Sequence, residues 1–197
     1  MELPEKIANV TESLGKIPGI GKKSALRHGL YLANQSFEQL AALSESIKEL
    51  ASLKTCHKCG LYSDHDVCHI CSNSIRKESG IICVVENITD CLAIENSENY
   101  QGLYHILHGV LNPLMGVGPD DLKIDQLIER CHENVTSVIL AINSSVEGDA
   151  TSSYIRQNLP DHVMVERIGF GIPMGGNLEY LDSLTISKAL ENRKRMD

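Results

Sequence analysis

Two Cys-x-x-Cys pairs, Cys56-His57-Lys58-Cys59 and Cys68-His69-Ile70-Cys71, stand eight residues apart. A Cys-x-x-Cys turn delivers two thiolates about 3.5–4 Å apart, one edge of the tetrahedron that Zn²⁺ prefers. Two such turns complete it. Between the pairs lie Gly60, Asp64, His65 and Asp66, which are turn formers. The intervening loop is shorter than the roughly 15–20 residues of the commonest two-knuckle spacing, yet long enough for a compact finger. With cysteine at all four positions the coordination sphere is closed, so the expected role is structural rather than catalytic. A redox Cys-x-x-Cys would come singly near a βαβ pattern, and two disulfides would need an oxidising compartment. His57, His65 and His69 read as surface residues of the finger, and Cys83, Cys91 and Cys131 as buried thiols.

A second group is basic. In Ile17-Pro18-Gly19-Ile20-Gly21-Lys22-Lys23-Ser24-Ala25 a turn with two glycines opens a helix expected over 22–33. Both glycines allow positive φ and a close approach of the backbone to a partner. The helix start offers free N–H groups and a positive dipole end, where a phosphate can sit beside Lys22, Lys23 and Arg27. Lys23 and Arg27, four apart, share a face. This is a helix-hairpin-helix pattern, which holds a nucleic-acid backbone without reading sequence. The plain alternative is an αα corner with a solvated basic face.

A third group is acidic. Glu86 ends the apolar run Ile81–Val85, and Glu147 and Asp149 follow the apolar run Ser137–Ile142. If both runs are parallel strands, these acids lie at C-terminal strand ends, where ligands of α/β sheets bind. Three converging carboxylates would raise one another's pKa unless a cation joined them, and oxygen ligands suit Mg²⁺. Glu147 and Asp149 equally suit a helix N-terminus by charge–dipole attraction. No Gly-x-x-x-x-Gly-Lys-Ser/Thr occurs, so nothing points to ATP hydrolysis.

The elements that must carry these groups follow from periodicity. Ile7, Val10 and Leu14 predict a first helix over 4–14. Ser36 and Gln39 form a capping box for a helix over 36–53, with an apolar stripe of Leu40, Leu43, Ile47 and Leu50. Strands are expected at 81–85, 104–107, 137–142 and 163–165. Helices are expected at 89–97, with Cys91, Leu92 and Ile94 near the core, at 123–132 and from 147 to 158. Alternating strands and helices predict a small parallel sheet flanked by helices. The tail, Gly169 to Tyr180, is glycine-punctuated; its apolar members Ile172, Met174, Leu178 and Tyr180 suit a subunit interface. A helix over 182–193 ends the chain.

The net charge of −8 argues against a nucleic-acid binder until its distribution is read. From Lys16 to Phe37 there is no acid, while Lys16, Lys22, Lys23 and Arg27 all fall there. A basic head precedes an acidic body. The absence of Trp and the two Phe argue against a stacking surface for single strands. No signal peptide and no apolar run of about 20 residues is seen, so a cytoplasmic, nucleoid-associated protein is expected, with no membrane partner.

The order of these parts resembles the RecR family of bacterial recombination mediators over essentially the full length. The residues that carry the resemblance are Ile17–Ala25, the four cysteines, Cys83-Val84-Val85-Glu86 with Asp90, Gly118–Leu122, Glu147-Gly148-Asp149-Ala150-Thr151 and Gly175–Tyr180. It implies an α/β chain with a helix-hairpin-helix head (1–54), a four-cysteine zinc finger (55–72), a Toprim domain (79–168) and a C-terminal oligomerisation loop and helix (169–197). It implies no catalysis. Such proteins act with RecO, and in some contexts RecF, at single-strand gaps and help load RecA. They form dimers and ring-like tetramers that can encircle DNA.

By match, Lys23 and Arg27, helped by Lys22, contact DNA, and Cys56, Cys59, Cys68 and Cys71 hold zinc. Glu86, Asp90, Glu147 and Asp149 take the Toprim acidic positions, which the family links to RecO contact as well as to Mg²⁺. Asp149 is shorter than the Glu often found there. Asn112 and Met115 depart from a Ser and an acid in the preceding loop. These departures weaken the case for tight Mg²⁺ binding. The competing expectation is a Mg²⁺-dependent Toprim nuclease or topoisomerase-like enzyme, with Glu86 as acid/base.

Overall fold

A computed structural model describes residues 3–132, 134–169, 171–173 and 175–193. It divides into two compact units, one up to Leu53 and one from Lys54.

The first unit is helical: α1 (Glu5–Gly15), α2 (Lys22–Leu32) and α3 (Phe37–Glu49), the last running into a 3-10 turn at Leu50–Ser52. α1 and α2 approach closely because Gly29 has no side chain; a Cβ there would stand 2.6 Å from the Thr11 hydroxyl. The turn between them is type II, with Ile20 N–H donating to the Ile17 carbonyl at 3.0 Å and Gly19 at φ +83°. The expected positive φ at Gly21 is absent. Gly21 is the N-cap of α2 at φ −75° in extended backbone. The Ser36–Gln39 capping box forms in both directions. The stripe of α3 is uncovered: Leu40, Leu43, Ile47 and Leu50 are all exposed.

The second unit begins with a short antiparallel pair, β1 (Lys54–Thr55) and β2 (Tyr62–Ser63), then α4 (His69–Ser72) and α5 (Ser74–Glu78). The sheet that follows comprises β3 (Ile81–Val85), β4 (Leu103–Ile106), β5 (Ser137–Ala141) and β6 (Met164–Arg167). All pairs are parallel, in the order β4-β3-β5-β6. The helices α6 (Ile88–Glu95), α7 (Ile124–Cys131) and α8 (Val146–Asn158) connect the strands, and α9 (Ser183–Glu191) lies in the tail.

Successive strand side chains point to opposite faces, and two cores result. Ile82 and Val84 of β3, with Val138 and Leu140 of β5, pack against Ile124, Leu127 and Cys131 of α7 and Ile155 of α8. Cys83 and Val85, with Tyr104 and Ile106, face the other way, against Cys91 of α6 and the four cysteines with Leu61 and Ile70. The finger therefore covers part of a sheet face that a helix would otherwise bury. Leu92, expected near the core, is half exposed, since α6 turns Cys91 inward.

Chain order reverses between β3, flanked by β4, and β5 on its other side. That switch point opens at the strand ends bearing Glu86 and the start of α8, where α/β folds place ligands.

Candidate zinc centre, basic helix and acidic edge

Cys56, Cys59, Cys68 and Cys71 are all buried, and their sulfurs lie within 4.8 Å of one another. Backbone bonds shape the knuckles: Gly60 N–H donates to the Cys56 carbonyl at 2.9 Å, and Cys56 N–H to the Leu61 carbonyl at 2.7 Å. Gly60 sits at φ +82°, closing the first knuckle in the left-handed region. Cys68 caps the second, its sulfur accepting from Cys71 N–H at 3.4 Å. The Cys59 and Cys68 sulfurs are 3.6 Å apart, close to the roughly 3.8 Å edge of a tetrahedron with Zn–S bonds of about 2.3 Å.

Thiolates this close repel one another unless a cation joins them. Hydrogen bonds from its neighbours draw Cys68 down, while the bond with Cys68 drives Cys59 up. Cys71 is pushed up to about 12, the net of opposing hydrogen bonds with Cys59 and Cys68 together with burial. Zn²⁺ resolves this frustration by taking four thiolates at once. The donor set is closed and buried, and the site is a structural zinc site. His57, His65 and His69 are exposed; the His57 Nδ1–H donates instead to the Asp66 carbonyl at 2.8 Å. The finger is fastened to the sheet by Ile106 N–H donating to Cys59 O (2.8 Å) and His108 Nε2–H donating to Gly60 O (2.9 Å).

Lys22, Lys23 and Arg27 are exposed on the first turns of α2. None makes an ion pair or hydrogen bond through its side chain with a described residue. The helix start has no side-chain cap, and a Cβ at Gly19 or Gly21 would meet only open space. Free N–H groups, three cations and a bare backbone are thus gathered at one helix start.

Of the acids at the switch point, Glu86 and Asp149 are occupied within the fold. Glu86 Oε1 accepts from Asn143 N–H at 2.6 Å, bridging the ends of β3 and β5. Asp149 is paired with Arg167 at 2.5 Å. Asp90 in the first turn of α6 has a buried Oδ2 with no hydrogen-bond partner among the described residues, and its pKa is raised by burial and then by Glu86. Glu147 lies in the first turn of α8. Among the described residues, only the four thiols bring three or more ligand atoms within 4.8 Å. Glu86, Asp90, Glu147 and Asp149 thus do not bring three ligand atoms within 4.8 Å of one another. What the motif does secure is backbone packing. A Cβ on Gly148 would stand 2.1 Å from the Asn143 carbonyl, so α8 can start here only with glycine.

Two polar clusters, one partly and one fully buried, escaped the reading of the sequence. Arg76 of α5 holds Glu95 through both guanidinium nitrogens at 2.5 and 3.1 Å and donates to Gly102 O, while Tyr104 OH donates to Glu95 at 2.8 Å. His105, fully buried, donates from Nε2 to the Lys123 carbonyl (2.7 Å) and accepts at Nδ1 from Arg130 (3.0 Å). Burial, then the Arg130 charge, lowers its pKa to about 3. A histidine inside an apolar strand was a signal; the partners, distant in sequence, left none.

Four family models match successive stretches of the chain. They are the RecR helix-hairpin-helix over 7–51, the RecR four-cysteine zinc finger domain over 53–73, the Toprim domain over 80–169, and the RecR C-terminal segment over 171–194. Among the described residues no helix is long and apolar enough to cross a membrane.

Proposed function

The chain belongs to the RecR family, a non-catalytic Toprim-containing family with a recombination-mediator role in DNA repair, and from that premise we propose that it is a DNA-binding mediator working with RecO. Lys22, Lys23 and Arg27 hold the DNA backbone without reading sequence. RecF is a further partner, and the outcome is RecA loading at single-strand gaps. The four acidic positions, Glu86, Asp90, Glu147 and Asp149, serve as contact points for basic partners rather than as a catalytic centre. The working division is 1–54 for the head, 55–72 for the finger, 79–168 for the Toprim body and 169–197 for oligomerisation.

The observation that carries this reading is the basic trio, with no side-chain partner among the described residues, at the uncapped start of α2. Assembly into a dimer or ring-like tetramer is supported by exposed apolar side chains: Leu40, Leu43, Ile47 and Leu50 on α3, and Leu178, Tyr180, Leu184 and Leu190 in the tail. Ile172 is exposed as well; the expected interface member Met174, like Phe170, lies outside the described residues. A ring presents several weak basic heads to one duplex, so effective concentration turns weak contacts into avidity. That reconciles DNA binding with a net charge of −8.

The test is DNA retention by the zinc-loaded chain across a salt series. Lys23→Ala with Arg27→Ala is expected to weaken binding at least tenfold and flatten the salt slope, with unchanged thermal stability. Unchanged binding by that variant refutes the assignment of the head.

A further inference from the structure

Ile82 and Leu103 are register partners near the starts of β3 and β4, at the end of the sheet away from Glu86. Together with Val135 they floor a cavity of about 500 Å³. Its walls carry Lys58 from the finger, Lys77 from α5 and Arg130 from α7, and Gln126 and Asn134 add amide groups. Glu129 is the acid among the described lining residues. Lys58 and Lys77 make no ion pair or side-chain hydrogen bond with a described residue. Arg130 is oriented by Tyr104 O at 2.9 Å and His105 at 3.0 Å, both through Nη1, so its Nη2 stays available.

Three cations around one space repel one another unless an anion joins them. The tetrathiolate zinc centre, doubly negative, supplies part of that balance, since Cys71 is in the same wall. Charge balance alone, however, needs neither an open volume nor an apolar floor. Cationic rim, amide donors and apolar floor together are the chemistry of a nucleoside phosphate, and the volume lies in the range of small-ligand sites.

We propose that this cavity seats one nucleotide unit, its phosphate on Lys58, Lys77 and Arg130 and its sugar or base against Ile82, Leu103 and Val135. The unit belongs to a bound strand or to a free nucleotide. The inference rests on the proposal that the chain binds DNA, and it adds a second contact that does not use the head.

The test measures anisotropy of a labelled oligothymidylate with the full zinc-loaded chain, comparing wild type, Lys58→Ala with Lys77→Ala, Lys23→Ala with Arg27→Ala, and the fourfold variant. Losing the hold on that one phosphate should lower the log–log salt slope by about 0.7, in the wild-type background and again in the head variant. Residual affinity of the head variant should fall a further tenfold or so. Gln126→Glu, which places a carboxylate on the exposed rim, should weaken binding in the same direction without removing a lysine. If the head variant binds like wild type while the cavity variants lose slope, the head assignment fails and the cavity stands. Unchanged slope and affinity in Lys58→Ala/Lys77→Ala and in Gln126→Glu overturns the cavity proposal. So does loss of zinc from the lysine variant with normal binding by Gln126→Glu, which assigns the lysines to charge balance alone. Competition by thymidine monophosphate identifies a free nucleotide as the occupant, and its failure to compete where the oligomer binds identifies a strand.

Discussion

Arg76→Met should loosen the zinc finger from the sheet. Arg76 follows the second knuckle and reaches Glu95 on α6 with two bonds, while a third goes to Gly102 O at the entry to β4. Removing it leaves Glu95 with Tyr104 OH alone. Breaking a buried pair by deleting one partner costs about 3–5 kcal/mol. Arg76 and Glu95 side chains retain 14% and 28% exposure, so water relieves part of the stranded charge. The expectation is the low end, about 3 kcal/mol, or a fall in Tm of about 6–12 °C for a chain of this size.

Zinc release to a chromogenic chelator during heating reads the unit that contains the network, independently of the helical head. Glu95→Gln in the Arg76→Met background should cost far less than the two changes added separately, because the stranded charge is gone. The pH dependence has a defined sign. Burial raises the Glu95 pKa, but hydrogen bonds from Arg76 and Tyr104 outweigh it and the net shift is downward. Its stabilisation is therefore present above the ordinary glutamate pKa and lost as pH falls through the lower folded value. Arg76→Met should blunt that acid limb. A Tm close to that of wild type, or strict additivity of the two changes, refutes the coupling of finger to sheet through this pair.

Gly148→Ala should destabilise the body by about 3 kcal/mol or more, because a Cβ 2.1 Å from Asn143 O forces the first turn of α8 off the sheet; wild-type thermal stability would contradict that. His105, with its pKa lowered to about 3, is neutral when folded. Stability should fall as pH drops from about 6.5 towards 3, by up to about 1.4 kcal/mol per unit, and His105→Gln should flatten this limb in urea titrations at successive pH values. Cys71→Ser, or a strong chelator, should open the finger and expose Leu61, Ile70 and the sheet face they cover, read as a dye-binding surface appearing with zinc loss. A chelated protein that keeps its cold-state packing would refute a structural role for the metal.

The zinc ligands, the capping box of α3 and the alternation of strands and helices were legible because each is local. Spacing, capping residues and periodicity carry them without reference to distant chain. The strand order, β4-β3-β5-β6, was not legible, since nothing local in β5 states that it pairs with β3 rather than β4. The finger's burial against Cys83 and Tyr104 was likewise hidden, although the unusual cysteines of that strand face were its trace. The acids are legible by position, but their partners are not. Glu86 ties two strand ends and Asp149 answers Arg167, so charge that spacing suggested for a metal is spent within the fold. Gly21 needs no positive φ; what it contributes is an open surface at the start of α2.

The central claim is that the basic head holds DNA and the acidic edge does no chemistry on it. Incubating the zinc-loaded chain with gapped plasmid and Mg²⁺ across a salt series, scored for both retention and strand breaks, tests both halves at once. The account predicts retention that weakens steeply with salt, depends on Lys23 and Arg27, and leaves every strand intact. Metal-dependent nicking that disappears in Glu86→Gln would contradict it and make the acidic edge an active site.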